Sequence, residues 1–315
     1  MIEITKNIFV AGHNGMVGSA IVRALRSKGY INIITAERNE LDLTLQESVN
    51  SFFYNNKIDV VYNAAAKVGG IVGNANFPGD FILQNLLIQN NVINACLKFN
   101  VDRYIFLGSC CIYPKFCDQP MRENYILEGA LEPTNRSYAV AKIAGIVTCQ
   151  ALAEQYGLKS VCPMPINLFG PGDNLDPENS HVIPGLMRRF HFAKERGDLE
   201  TVVWGTGKAL REYMHVDDCA DAIVFLSDKF DYGEVVNVAP GTELTTLQTA
   251  EAVAKVVGYE GKLVQDLSKP DGTSRKLASP EIISGLGWKP RINFYDALAA
   301  TYEDFKNEIA SEKWS

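Results

Sequence analysis

Two side chains four residues apart, Tyr138 and Lys142, carry the clearest chemical signal in the chain. The segment Tyr138-Ala139-Val140-Ala141-Lys142 opens a stretch, residues 138–155, whose apolar spacing predicts a helix. Positions i and i+4 share one helix face, about 6 Å apart along the axis. An ammonium there is expected to depress a phenol below its ordinary value of about 10. A phenol so tuned can give a proton to a ketone oxygen as hydride reaches the carbon. Ser109 closes a strand-like run, residues 104–109, at the carboxyl edge where α/β sheets hold ligands, and its hydroxyl could bond the same oxygen. A YxxxK spacing alone is common and would describe a solvated helix pair. The segments around it give it weight.

A hydride donor is implied by Gly12-His13-Asn14-Gly15-Met16-Val17-Gly18, which follows a buried strand and opens a helix. Its GxxGxxG glycines allow a tight turn, close approach of backbone to a pyrophosphate, and close packing of helix on strand. The phosphates would rest on free N–H groups at the positive end of that helix, around Gly15, Met16 and Val17. A second strand ends in Ala36-Glu37-Arg38-Asn39. An acid there would bond a ribose 2′-hydroxyl and favour NAD, whereas an arginine would hold the 2′-phosphate of NADP. Both are present, so the signal is divided. Asp42 could reach the adenine amino group or serve as a helix N-cap in Asp42-Leu43-Thr44.

These groups need a scaffold, and the first 110 residues supply its pattern. Apolar strands near residues 7–11, 31–36, 58–63 and 104–109 alternate with helices near 17–28 and 81–99. Near-continuous apolar strands between helices mean a parallel sheet covered on both faces. The expected fold is α/β, a Rossmann doubly wound parallel sheet with a smaller C-terminal α/β substrate domain. Residues 1–165 would form the nucleotide domain, with 211–240 returning to it through the strand-like run at 235–239. Residues 166–210 and 241–315 would form the substrate domain. Helices are expected at 219–228 and 247–257.

The 315 residues are 47% hydrophobic and 21% charged, with a net charge of −7, an ordinary globular composition. That charge argues against a nucleic-acid surface but not against an anionic small molecule held by a few local cations. No apolar run is long enough to span a membrane, and the N-terminus shows no signal pattern, so a cytoplasmic protein is expected. The seven cysteines have no framework spacing and no CxxC pair, so reduced thiols and no metal are expected. His13, His191 and His215 read as structural.

The chain resembles the extended short-chain dehydrogenase/reductase family and, within it, the GDP-L-fucose synthase branch. The residues that carry the likeness span nearly the whole chain. They are the glycine turn, Asn63-Ala64-Ala65-Ala66-Lys67-Val68-Gly69-Gly70-Ile71, Gly108-Ser109-Cys110-Cys111-Ile112-Tyr113-Pro114-Lys115 and Leu131-Glu132-Pro133-Thr134-Asn135. Further along come Ser180-His181-Val182-Ile183-Pro184, Arg211-Glu212-Tyr213-Met214-His215-Val216-Asp217-Asp218 and Lys269-Pro270-Asp271-Gly272-Thr273-Ser274-Arg275-Lys276-Leu277.

The resemblance implies NADPH-dependent 3,5-epimerisation and 4-reduction of GDP-4-keto-6-deoxy-D-mannose to GDP-L-fucose. Tyr138 would protonate O4, Lys142 would tune it and anchor the ribose, Ser109 would bond the carbonyl, and Cys111 and His181 would be the epimerase pair. Taken alone, Cys111 reads as a buried hydrophobe and His181 as a loop histidine. The ketone makes the pair intelligible. It acidifies the C3 and C5 protons, and inversion needs a base and an acid on opposite ring faces. Gly12, Asn14, Gly18, Arg38, Asp42 and Ala64 would line the cofactor site. Asn167, Arg189, Arg211 and Lys276 would bind substrate, Trp204 would lie near the guanine or in the core, and Arg188 and Arg275 would serve solvated faces or salt bridges. The family also implies a homodimer formed through the helices at 81–99 and 138–155.

Four positions depart from the pattern of the family. Asn14 stands where arginine is usual, so Arg38 would carry the NADPH preference, and NADH is not excluded. Cys110 replaces a serine beside Cys111, Ile166 a threonine and Ser137 a proline. The alternative is a C4-reductase alone, acting on a related GDP-4-keto-6-deoxy sugar such as a heptose.

Overall fold

The computed structural model describes residues 2–176, 180–268 and 273–310, so Lys269-Pro270-Asp271-Gly272 of the last family block lie outside the described residues. The chain begins with β1 (Ile8–Ala11), α1 (Met16–Ser27), β2 (Ile33–Ile34), α2 (Gln46–Asn56), β3 (Val60–Asn63), α3 (Ile71–Asn76) and α4 (Pro78–Lys98). It continues with β4 (Arg103–Phe106), α5 (Arg136–Tyr156), β5 (Ser160–Pro165), β6 (Asn167–Phe169), α6 (Val182–Arg196) and β7 (Glu200–Trp204). Then follow β8 (Leu210–Arg211), β9 (Tyr213–His215), α7 (Val216–Leu226), β10 (Glu234–Val238), β11 (Leu244–Thr245) and α8 (Thr246–Val257). Last come β12 (Lys262–Asp266), β13 (Arg275–Lys276), α9 (Glu281–Gly285) and α10 (Phe294–Ala310).

Six strands form one sheet in the order β10-β5-β4-β3-β1-β2, every neighbouring pair parallel. This is the Rossmann-like architecture the strand–helix alternation predicts. All residues of β1, β3 and β5 are buried, because α1 and α7 pair on one face while α4 and α5 pair on the other. Chain order reverses between β1 and β3, and such a switch point opens a crevice at the carboxyl ends of the strands. β2 is much shorter than the expected run at 31–36. It is an edge strand with one neighbour, and Ile31 is exposed.

β4 ends at Phe106, three residues before Ser109. The chain leaves the sheet at Gly108, where a Cβ would stand 2.2 Å from Met164. On α5, Gly145 has no Cβ to collide with the Phe106 ring at 2.3 Å, so this helix lies directly on β4. That close approach brings the first turns of α5 to the crevice.

The remaining strands form small sheets, β6 with β9, β7 with β12, and β8 between β11 and β13. They pack with α6, α8 and α10 around a second core that includes Phe169, Met187, Phe190, Val253, Leu298 and Phe305. α8 is well defined by its sequence, with a Thr245/Gln248 capping box at the start and left-handed Gly258 at the end. Among the described residues no helix is long and apolar enough to cross a membrane. All seven cysteines are free thiols.

Candidate active site

The glycine turn lies at the switch point. Gly12 has φ +78°, and a Cβ on it would meet Ala65 N and Cα at 2.8 Å. Gly18 is tighter still, because its Cβ would stand 2.1 Å from Gly12 O. Ala64, just past β3, donates its N–H to Ala11 O at 3.1 Å and so fixes the second wall. Gly15 precedes α1 with no side-chain cap, which leaves the first N–H groups of the helix, from Met16 and Val17 onward, for an anion. A cradle of bare backbone at a helix N-terminus fits a dinucleotide pyrophosphate.

At the ribose end, Asn14 Nδ2 donates to Glu37 at 2.7 Å, and His13 lies 3.5 Å from the same carboxylate. Glu37 is thus engaged within the protein, while the neighbouring Arg38 is exposed. Asp42 does not cap a helix, because α2 begins at Gln46. Its carboxylate instead accepts the Thr44 hydroxyl at 2.6 Å and the Thr44 N–H at 2.9 Å, which closes a turn and lowers its pKa.

Ser109, extended at φ −164°, caps the short helical turn Cys110–Ile112, and its Oγ accepts from Cys111 N at 3.3 Å. The Tyr138 hydroxyl hydrogen-bonds Ser109. Lys142 is buried one turn further on and donates to Leu107 O at 2.7 Å, with its Nζ 5.8 Å from the Tyr138 ring centre.

The expected depression of the Tyr138 phenol is not what this geometry gives. Burial pushes it above its ordinary value, the Cys111 and Cys110 thiols add to the rise, and only Ser109 opposes them. Lys142 spends its ammonium on a carbonyl, and burial pulls it down to about 8. Tyr138 is therefore held protonated, which is the form a proton donor needs.

Cys111 belongs to the same cluster, since its N–H bonds Ser109 Oγ and its thiol acts on the Tyr138 phenol. Its thiol sits well below the ordinary range, because Cys110 hydrogen-bonds it and Lys276, Ser109 and His181 favour the thiolate against burial. His181 shifts the other way. Its Nδ1 lies 2.8 Å from Asp173 Oδ1, and that bond is the main cause of a raised pKa, with Cys111 adding to it. A depressed thiol and a raised imidazole thus act on one another beside a phenol and a serine.

Asp173 escaped the sequence reading. It follows Gly170-Pro171-Gly172, a punctuated turn in which Gly170 has φ +139° and Gly172 φ +82°. An acid placed after such a turn and eight residues before His181 was the available signal. The Gly172 Cβ position lies 3.5 Å from Met16 Cα, so this loop abuts the glycine turn.

Among the anticipated substrate residues, Arg211 and Lys276 sit side by side as register partners on β8 and β13. Lys276 acts electrostatically on both Cys110 and Cys111, and Arg211 is coupled to Cys110. Asn167 is exposed on β6, with Nδ2 on Glu212 O at 2.9 Å. Arg189 and Trp204 form a second group, the guanidinium 5.6 Å from the indole centre and bonded to Val202 O at 2.7 Å. The indole is 59% exposed, so a ring could stack on it. Arg275 pairs with Glu243, the surface role expected of it.

The NAD dependent epimerase/dehydratase family matches residues 8–239 of this chain. GDP-L-fucose synthase 1 of Arabidopsis thaliana is 52% identical over 311 residues, covering 99% of this chain and 96% of its own. A GDP-6-OMe-4-keto-L-xylo-heptose reductase from C. jejuni superposes with a TM-score of 0.91 at 32% identity, covering 98% and 99% of the two chains. A GDP-L-fucose synthetase from Naegleria fowleri bound to NADP superposes with a TM-score of 0.88 at 26% identity, covering 98% and 97%.

Proposed function

The chain belongs to the NAD dependent epimerase/dehydratase family, and on that premise we propose that it converts GDP-4-keto-6-deoxy-D-mannose to GDP-L-fucose by 3,5-epimerisation and NADPH-dependent 4-reduction. Its curated relative at 52% identity is a GDP-L-fucose synthase, whereas the heptose reductase stands at 32%. The observation that carries the proposal is one cluster of interacting side chains that joins Ser109 and Tyr138 to a depressed thiol and a raised imidazole. A reductase acting on a finished stereoisomer has no use for the second pair.

The residues divide the work. Ser109 and Tyr138 bond O4 of the sugar and stabilise the charge that builds there when a proton leaves C3 or C5. The Cys111 thiolate removes the proton from one ring face, and protonated His181 supplies one on the other. When the C4 oxygen finally takes up negative charge, Tyr138 gives it a proton. Lys142, anchored on Leu107 O, keeps a cation beside Tyr138 and the ribose.

NADPH, when bound, supplies hydride to C4. Gly12, Gly15, Gly18, Met16, Val17 and Ala64 would hold its pyrophosphate, with Asp42 at the adenine. Glu37 is taken up by Asn14, which leaves Arg38 for a 2′-phosphate and favours NADPH over NADH. Arg211, Lys276 and Arg189 would hold the substrate diphosphate, Trp204 its base and Asn167 its sugar. The six-stranded lobe takes the cofactor and the smaller lobe the GDP-sugar. Leu83, Leu87, Val140 and Val147 leave apolar surface exposed on α4 and α5. This supports a homodimer joined through those helices, and the cytoplasm is the compartment we assign to it.

Incubation with GDP-4-keto-6-deoxy-D-mannose and either nicotinamide cofactor, followed by NMR of the product, tests the proposal. GDP-L-fucose, formed faster with NADPH, is expected. A 4-reduced sugar that keeps its D configuration would refute it.

A further inference from the structure

We propose that Asp173 is the positioning residue of the epimerase, holding His181 by Nδ1 so that Nε2 is the ring nitrogen offered to the sugar as a proton donor. The inference rests on the function proposed above. The contact is short, with Asp173 Oδ1 lying 2.8 Å from Nδ1. It is also asymmetric, because the Asp173 side chain is 4% exposed while that of His181 is 46% exposed. One partner is therefore fixed inside the protein, and the other reaches the cleft.

The acid is rigidly placed. The Asp173 N–H donates to Gly170 O at 3.2 Å, and Oδ1 accepts from Asn174 N at 2.8 Å. Among the described residues, buried Oδ2 has no hydrogen-bond partner. A carboxylate this deep, with one backbone N–H and one imidazole, needs a positive charge on the imidazole to be stable.

The setting of His181 makes the need plain. His181 is the N-cap residue of α6 and makes no side-chain capping bond. The positive end of a helix disfavours an imidazolium. Among the described residues the charged groups that act on His181 are Asp173 and the Cys111 thiol, and Lys276 acts in turn on that thiol. Without Asp173, the helix end would oppose the proton that epimerisation must deliver. The acid also fixes the tautomer once that proton has gone, since Nδ1–H stays on Asp173 and Nε2 is left bare to be recharged.

Two readouts on the full-length protein test this. The His181 ring is titrated by NMR, with its signal assigned through His181→Asn. Deuterium uptake at C3 and C5 of the GDP-keto sugar is followed in D2O without NADPH, as a function of pH. In the wild type, His181 is expected to titrate above the ordinary imidazole value. In Asp173→Asn the midpoint falls, uptake slows at least about tenfold, the alkaline limb of the uptake profile moves to lower pH, and the KM for the sugar stays the same.

An Asp173→Asn protein with the wild-type midpoint and uptake rate would overturn the proposal. So would a wild-type His181 that titrates at or below the ordinary value, a result that needs no variant to fold. A wild type that takes up no deuterium would overturn the epimerase function itself, while the His181 midpoint in the same sample still reports on Asp173.

Discussion

Replacing Gly18 with alanine strikes the tightest point of the cofactor turn. The new Cβ would stand 2.1 Å from Gly12 O, 2.6 Å from Gly12 C and 3.0 Å from His13 Cα, all backbone atoms. Restoring contact distance requires a backbone shift of roughly 1 Å. Gly12 has little room to yield, since its backbone lies close against that of Ala64 and Ala65. Overpacking of this kind costs about 1–3 kcal/mol, and two fixed backbones put it near the upper end. At roughly 2–4 °C per kcal/mol, Gly18→Ala should lower Tm by roughly 6–12 °C.

Gly15→Ala is the control. Its nearest contact is Gly12 O at 3.4 Å, and its φ of −77° suits any residue. Its Tm should stay near that of the wild type. Thermal melts with and without NADP+ then separate packing from binding. Saturating ligand raises wild-type stability by about 2.7 kcal/mol at a hundred times Kd, and neither variant should show that gain. A Gly18→Ala protein that melts with the wild type and binds NADP+ equally would refute the reasoning.

Tyr138→Phe should slow NADPH oxidation about 10²–10⁴-fold and leave Tm near that of the wild type, since the one hydrogen bond the hydroxyl would lose among the described residues is that to Ser109. Single-turnover rates equal to wild type would remove Tyr138 from its role. Cys111→Ser should abolish deuterium uptake at C3 and C5, because a serine hydroxyl supplies no anion at neutral pH. NMR of the recovered sugar decides it, and undiminished uptake would exonerate the thiol.

Glu212 gives a pH test of stability. Burial pushes its carboxyl up to about 7 from 4.5, against the bonds that Ala278 N and Gly241 N donate to it. The fold thus holds this proton more tightly than the unfolded chain does. That contribution is full below 4.5 and is lost as pH rises through about 7. Glu212→Gln, which cannot titrate, should flatten this part of the curve of Tm against pH, and an unchanged slope would count against the assignment.

The parts of the proposed cofactor site stood out in the sequence because they are local. Gly12, Gly15 and Gly18 lie within one turn, and Tyr138 and Lys142 within another. The sheet was legible because parallel strands buried on both faces have no polar alternation to blur them. Asp173 was not, because an acid in a loop shows its worth only when folding sets it 2.8 Å from His181. The Tyr138 pKa was misjudged for a related reason. Helix spacing shows that Lys142 is near, but not that Leu107 O claims its ammonium or that burial acts on the phenol. β2 fell short of its run because, among the described residues, no strand pairs its outer edge.

A crystal structure of the protein with NADP+ and GDP-L-fucose would probe the shared pocket most directly. The Tyr138 and Ser109 hydroxyls should both lie within about 2.6–3.2 Å of the fucose O4, with Cys111 and His181 on opposite faces of the ring. A sugar bound with O4 away from Tyr138, or with both epimerase residues on one face, would contradict it.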